Sequence, residues 1–259
     1  MIKTLLEGLE EDKLKLLRIH DSNQVNTLHK AVNNRDCVAI KALLEELETE
    51  YKLELLMVQD KYENTALHQA AYCKDNEDVV KALLEGLEPE GKLKLIMIRD
   101  GGQDTALHYA ASRKYNGVVI KTLLEGLRKE DKLTLLMIQG FYQLTALHKA
   151  ADQDQNGDVI RILLEGLETE DKLRLLMAQD NFQCTALHNA VNRHRNDSVI
   201  KLLLAGLETE DKLKLLMIQE SLKNTALHKA ANWDENANVI KFLLEGLETE
   251  DKLKLLMIQ

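Results

Sequence analysis

Six of the eight histidines, His29, His68, His108, His148, His188 and His228, share one motif, and the last five follow each other at intervals of forty residues. A periodic set of imidazoles is the kind of array that could bind a transition metal or carry protons. Spacing argues against the metal. Zinc needs its ligand nitrogens roughly 2 Å from one ion, whereas helices stacked side by side lie about 8–10 Å apart, so neighbouring copies cannot readily share an ion. His20 and His194 stand outside the motif and read as surface residues.

Carboxylates also recur at close spacing, in Glu168 to Asp171, Glu208 to Asp211 and Glu248 to Asp251. Such clusters could serve general acid and base chemistry or hold calcium. A catalytic pair is needed once, however, and these copies each stand where a helix should start, which favours capping and solubility. The three cysteines, Cys37, Cys73 and Cys184, have no common spacing, and their odd number leaves at least one thiol without an internal partner. There is no phosphate-binding glycine loop, nucleophile elbow or zinc-type cysteine spacing. The chain is expected to be no enzyme, with no catalytic residues, no metal and no cofactor.

The elements that carry these residues are themselves repeated. Thr-Ala-Leu-His recurs at Thr65, Thr105, Thr145, Thr185 and Thr225, with a shortened Thr-Leu-His version at Thr27. In each copy a threonine cap followed by inward Leu and Ala predicts a short helix A. A second block, such as Val159 to Met177, begins with apolar residues at three- and four-residue intervals, an amphipathic helix B. Gly166 and its equivalents should end it. Acids then precede lysines in a helix C, the charge order the helix dipole favours, and Pro89 is tolerated in its first turn. The methionines Met57, Met97, Met137, Met177, Met217 and Met257 read as core filler between repeats. Asn76, Asn116, Asn156, Asn196 and Asn236 form a column expected to supply a left-handed turn or a cap.

Composition agrees with an all-α class: 45% of residues are hydrophobic, 30% charged and only 4% aromatic, with a single proline. A net charge of −9 would repel nucleic acid unless a basic stripe opposed it, and none is seen. No stretch is long and apolar enough to span a bilayer, and Met1 leads into a charged amphipathic segment, not into a signal peptide. The expected setting is the cytoplasm or another reducing compartment, with secretion into a host cell as a further option.

Thr145-Ala146-Leu147-His148-Lys149-Ala150 and its copies resemble the signature of the ankyrin repeat family, threonine, proline, leucine, histidine, any residue, alanine. The resemblance implies that each histidine bonds to nearby backbone and ties repeats together. Three departures stand out. Alanine replaces the family's proline, the unit is about seven residues longer, and the glycine expected two residues before threonine is replaced by Glu63, Gln103, Gln143, Gln183 and Lys223. Without that glycine a β-hairpin finger is not expected, and helix C should fill the space. The resulting expectation is one ankyrin-like α-solenoid over residues 1–259, with a partial repeat at 1–20, repeats starting near 21, 60, 100, 140, 180 and 220, and three helices in each. Neither end looks like a polar cap, so Leu5, Leu6, Leu9 and Leu253, Leu256, Met257 should be partly bare and favour head-to-tail self-association.

Repeated positions are consumed by the stack, so function should lie in what varies. Variation falls in the four residues before each threonine, in the residue after the histidine and in the stretch closing helix A. Eight of the ten aromatics occupy these columns, Tyr62, Tyr72, Tyr109, Tyr115, Phe141, Tyr142, Phe182 and Trp233. With Gln69, Arg113, Lys149 and Arg193 they form the expected partner-binding strip, aromatic residues being favoured at binding hot spots. Charge along the strip alternates from Arg113 and Lys114 to Asp152 and Asp154, then Arg193 and Arg195, then Asp234 and Glu235, which suits a protein partner of mixed charge. The reading is a protein-binding scaffold; the alternative is a passive or targeting arm of a larger protein whose enzymatic domain lies outside this chain.

Overall fold

The computed structural model describes residues 14–258 apart from 16, 46, 74–75, 154–156, 193–196 and 233–236. Among the described residues the regular elements are helices, in the repeating order A, B, C, and the only strand-like pairings are two isolated antiparallel bridges, His20 with Asn26 and Gln59 with Thr65. The A helices run Thr27–Asn33, Ala66–Tyr72, Ala106–Ala111, Ala146–Gln153, Ala186–Val191 and Ala226–Ala231. The B helices are Cys37–Leu44, Glu77–Leu84, Gly117–Leu124, Asp158–Leu164, Asp197–Leu204 and Ala237–Leu244. The C helices are Thr49–Leu56, Pro89–Ile96, Lys129–Leu136, Thr169–Leu176, Thr209–Leu216 and Thr249–Leu256.

Each helix is shorter than an isolated helix needs to persist in water, so packing must hold it. In the second full repeat helix A buries Leu67, Ala70 and Ala71, helix B buries Val79, Val80 and Leu83, and helix C buries Leu95 and Ile96. The chain divides into two compact units, residues 1–110 with 118–127, and residues 111–117 with 128–259. Within each unit like packs on like: Thr27–Asn33 lies on Ala66–Tyr72 in the first, and Ala146–Gln153 lies on Ala186–Val191, which lies on Ala226–Ala231, in the second.

The helix ends follow the sequence signals. Gly86, Gly126, Gly166, Gly206 and Gly246 each take a φ of 72–76° just past helix B, where a side chain would be strained. Pro89 occupies the first turn of its C helix, as expected. Each of the six C helices given above begins without a side-chain cap. The acids of its first turn therefore act through the helix dipole.

Three expectations need correction. The first motif is not shortened: Asn26 stands where the other copies have threonine, and its side chain accepts the His29 N–H at 3.0 Å, leaving Thr27 in the alanine position. The methionines are not core filler: Met57, Met177, Met217 and Met257 are 36–77% exposed, because the buried pair Leu55 and Leu56 ends the inward face and the next residue turns outward. Asn76 is buried but neither left-handed nor a side-chain cap; its amide donates to the Ala70 carbonyl at 3.1 Å and so closes the end of helix A. Asn156, Asn196 and Asn236 lie outside the described residues. As expected, no hairpin strands form among the described residues and helix C is present, but the tight turn before each threonine is kept without glycine. Glu63, Gln103, Gln143, Gln183 and Lys223 all adopt positive φ, between 57° and 69°, so the left-handed conformation is kept by residues that ordinarily avoid it.

Candidate partner-binding surface

What holds four of those five residues left-handed is a carboxylate at the start of the loop. Asp60 Oδ1 accepts the N–H groups of Tyr62 and Asn64 at 2.8 and 2.9 Å, and Asp100 and Asp180 do the same two and four residues on. Charge-assisted bonds of this kind are about twice as strong as neutral ones, enough to offset a strain of about 1–2 kcal/mol. Glu220 plays the part in the last repeat. Gly140 cannot, and there the chain makes a short 3-10 turn, Phe141–Gln143, in which both Tyr142 and Gln143 are left-handed.

The turn tips are laced together by backbone. In the first unit Lys61 N–H donates to the Asn23 carbonyl and Gly101 N–H to that of Tyr62, both at 3.0 Å; in the second, Asn181 donates to Tyr142 and Ser221 to Phe182, both at 2.9 Å. Gln59 and Gln139 add a side-chain donor from the base of one loop to the next, reaching Arg99 O and Gln179 O.

The histidines are structural. Thr65 N–H donates to His68 Nδ1 at 3.1 Å, so the neutral ring must carry its proton on Nε2, which donates to the carbonyls of Ile98 and Asp104 in the next repeat. His148 repeats this between Thr145 and Cys184. Burial lowers the pKa of His29, His68 and His148. His188 is pushed down to about 4 by burial and by the nearby Lys229 cation. Among the described residues no group of three or more His, Cys, Asp or Glu side chains is placed to hold a metal ion.

The strip residues divide by exposure. In the first unit Tyr62 and Tyr72 are 65% and 46% exposed, while Gln69 and Tyr109 are half-buried and bonded to their own loops, Gln69 to Asp60 and the Tyr109 hydroxyl to Asp100 at 2.6 Å. Tyr109 meets Tyr72 edge to face at 5.7 Å, and burial followed by the Asp100 carboxylate raises its phenol pKa. In the second unit Tyr115 is exposed at a left-handed position, Arg113 and Lys149 are half-buried, and Phe141, Tyr142 and Phe182 stand at the loop tips. Their rings touch in series, with Phe141 to Tyr142 at 4.1 Å and Tyr142 to Phe182 at 6.1 Å. Arg193 and Trp233, with Asp154, Arg195, Asp234 and Glu235, lie outside the described residues.

Two sets of residues escaped the sequence reading. Leu222 occupies the tip column next to Phe182 and is 79% exposed. The lysines Lys52, Lys92, Lys132, Lys172 and Lys212 of the C helices were read only as dipole partners, yet each reaches carbonyls at the end of helix B in the following repeat, as Lys212 does to Phe242 O at 2.9 Å and Glu245 O at 2.6 Å. Partial burial lowers the pKa of all five. Their uniformity was the available signal.

On the helix B side of the first unit a cleft of about 670 Å³ is lined by Cys37, Lys41, Lys81, Lys92, Asp78 and Glu125, among others. Its cations are engaged: Lys41 with Glu85, Lys81 with Glu77, and Lys92 with the Thr122 and Glu125 carbonyls. No helix among the described residues is long and apolar enough to cross a membrane.

The family model for ankyrin repeats in three copies matches residues 1–92. A crystal structure of EF0377, an ankyrin repeat protein, is similar over 85% of this chain and 98% of its own, with a TM-score of 0.63 and 23% identity. An ankyrin repeat domain from Acinetobacter baumannii AYE is similar over 84% of this chain and 95% of its own, with a TM-score of 0.60 and 22% identity. Likeness at that identity is one of fold. No curated protein matches the chain.

Proposed function

We propose that this chain, whose residues 1–92 match the ankyrin repeat model, is a protein-binding scaffold whose partner lies on the loop tips and the outward side of the A helices. Ankyrin repeats generally serve as protein interaction modules. The observation that carries the reading here is the run of exposed rings at Phe141, Tyr142 and Phe182, which are 50–57% exposed on turns held by backbone bonds, with the Asp180 carboxylate added at the Phe182 turn. Large apolar side chains held in water by a rigid frame lose little entropy on binding, which makes them efficient anchors. The repeated histidines, acids and lysines are taken up by the frame, so we infer no catalytic role for the chain. Changing Phe141, Tyr142 and Phe182 together to Ala should abolish capture of the partner by the full chain and leave its helical circular dichroism intact. Capture that survives this change and is lost on altering the acidic starts of the C helices would place the partner on the opposite face.

A further inference from the structure

The residue after the motif histidine is used differently in the repeat that starts near 220. Gln69 and Tyr109 each bond the carboxylate that opens their own loop, Asp60 and Asp100. Lys229 holds the same position, but the Glu220 oxygens accept the N–H groups of Leu222 and Asn224 and the Asn224 amide. Its ammonium reaches back to the preceding repeat and donates to Cys184 Sγ at 3.4 Å. Cys184 is fixed from both sides: its N–H donates to Asp180 at 2.9 Å, and its carbonyl accepts from His148 Nε2 at 3.1 Å. Only 6% of the residue is exposed, so the thiol is held against the amine. The His188 ring also feels this ammonium. Its Nδ1 accepts the Thr185 N–H as in the other copies, yet its buried Nε2 has no hydrogen-bond partner in good geometry. Burial, followed by the Lys229 cation, holds the His188 pKa down to about 4.

We propose that Cys184 and Lys229 form a covalent S–O–N bridge when the chain meets dioxygen, a modification that joins the loop of one repeat to helix Ala226–Ala231 of the next. The thiol S–H and one N–H of the free amine break, an S–O and an O–N bond form, and the second oxygen atom leaves as water. Sulfur and nitrogen each give up two electrons and dioxygen takes four, so no other oxidant is required. A bridging oxygen suits the geometry, because it spans part of the 3.4 Å gap that a direct S–N bond would have to close completely. Burial keeps out bulky thiols and disulfides but admits a small apolar oxidant. It also pushes the Cys184 thiol up, while the Lys229 cation draws it back. The thiolate is the reactive form and the amine reacts only when neutral, so the bridge forms faster as pH rises. Once formed, it removes the ammonium, and with it the charge that opposes protonation of His188. It also links positions 45 apart in sequence, which restrains the unfolded chain as a disulfide would.

The test exposes the full chain to dioxygen in mildly alkaline buffer and compares it with the chain kept anaerobic in a phosphine reductant. The intact mass should rise by one oxygen less two hydrogens, a tryptic digest should contain the Cys184 and Lys229 peptides joined, and the reductant should restore the starting mass. The oxidised chain should have a higher urea midpoint than the reduced one, and the His188 pKa followed by NMR should move up toward the ordinary histidine value. Lys229→Arg keeps the cation but has no primary amine, and Cys184→Ser keeps the size of the side chain but has no sulfur. Each should prevent the bridge and abolish the difference in midpoint, with helical circular dichroism unchanged. An unchanged mass, oxygen added to Cys184 with no joined peptide, joined peptides that lack the added oxygen, or a bridge that persists in Lys229→Arg overturns the proposal.

Discussion

His148 accepts the backbone N–H of Thr145 at Nδ1 and donates from Nε2 to the carbonyl of Cys184, 3.1 Å away in the next repeat. One ring therefore caps its own helix and ties that helix to its neighbour. Both partners are buried, so removing the ring leaves a donor and an acceptor unmatched as well as a cavity. His148→Ala should lower stability by about 1–3 kcal/mol, seen as a shift in the urea midpoint. A variant as stable as the parent would mean that the tie carries no net energy.

The same burial makes the stack sensitive to acid. His29, His68, His148 and His188 have pKa values lowered in the folded chain, so between the folded and unfolded values the unfolded chain binds more protons. Stability is then complete above the unfolded value, about 6.5, and falls as pH drops from there toward the folded value, which for His188 is about 4. Urea midpoints measured across this window should decline with falling pH, and His188→Gln should flatten part of the slope. An unchanged slope would show that His188 does not titrate with unfolding.

The first motif leaves a buried amide unpaired. His29 Nδ1 lies 2.7 Å from Asn26 Oδ1 and its Nε2 3.1 Å from the Asn64 carbonyl, two acceptors facing a neutral ring that has one N–H, while Asn26 Nδ2 is buried without a partner. A threonine hydroxyl at this position can donate as well as accept. Asn26→Thr should raise stability by about 1 kcal/mol, read as a higher melting temperature. A loss of stability would show that Asn26 is suited to its site.

Much of this frame could be read from the sequence because its signals are local. A threonine or an asparagine before Leu-His, a glycine after a run of leucines and a proline in a first turn each act on the residues beside them. The turn conformation is not legible from glycine alone, because Asp60 and its equivalents hold a left-handed residue through two hydrogen bonds. The exposed methionines and the lysine ties were hidden for another reason. Lys172 finds its acceptors Leu202 and Ala205 thirty and thirty-three residues away, a distance that only the stacking of repeats closes. The candidate surface was half legible: Phe141, Tyr142 and Phe182 stood out as residues that failed to recur, but that Gln69 and Tyr109 are held by their own loops depends on the folded turn.

The lysine ties can be tested directly. Lys172→Met keeps most of the apolar stem and removes the ammonium that caps helix Asp197–Leu204, so it should cost about 1 kcal/mol in a chemical melt. Lys241→Met, at an exposed position, serves as the control and should change little. Equal effects would assign the loss to charge in general and not to the tie.

Side-chain size also sets how the B helices meet in the second unit. Gly157 precedes helix Asp158–Leu164 with a φ of 77°, and a Cβ added there would clash with Leu202 Cδ1. Leu202 thus rests where Gly157 has no side chain. Gly166 has a similar φ of 72° but open space around it. Gly166→Ala should carry backbone strain alone, about 1 kcal/mol, whereas Gly157→Ala should add the cost of overpacking, about 1–3 kcal/mol more. Leu202→Ala removes the clashing methyl at the expense of a cavity, so in the double variant Gly157→Ala should cost little more than Gly166→Ala does alone. A double-mutant cycle by chemical denaturation measures that coupling. Strict additivity would mean that Leu202 moves aside freely and that the glycine at 157 is kept for its backbone and not for the neighbour it admits.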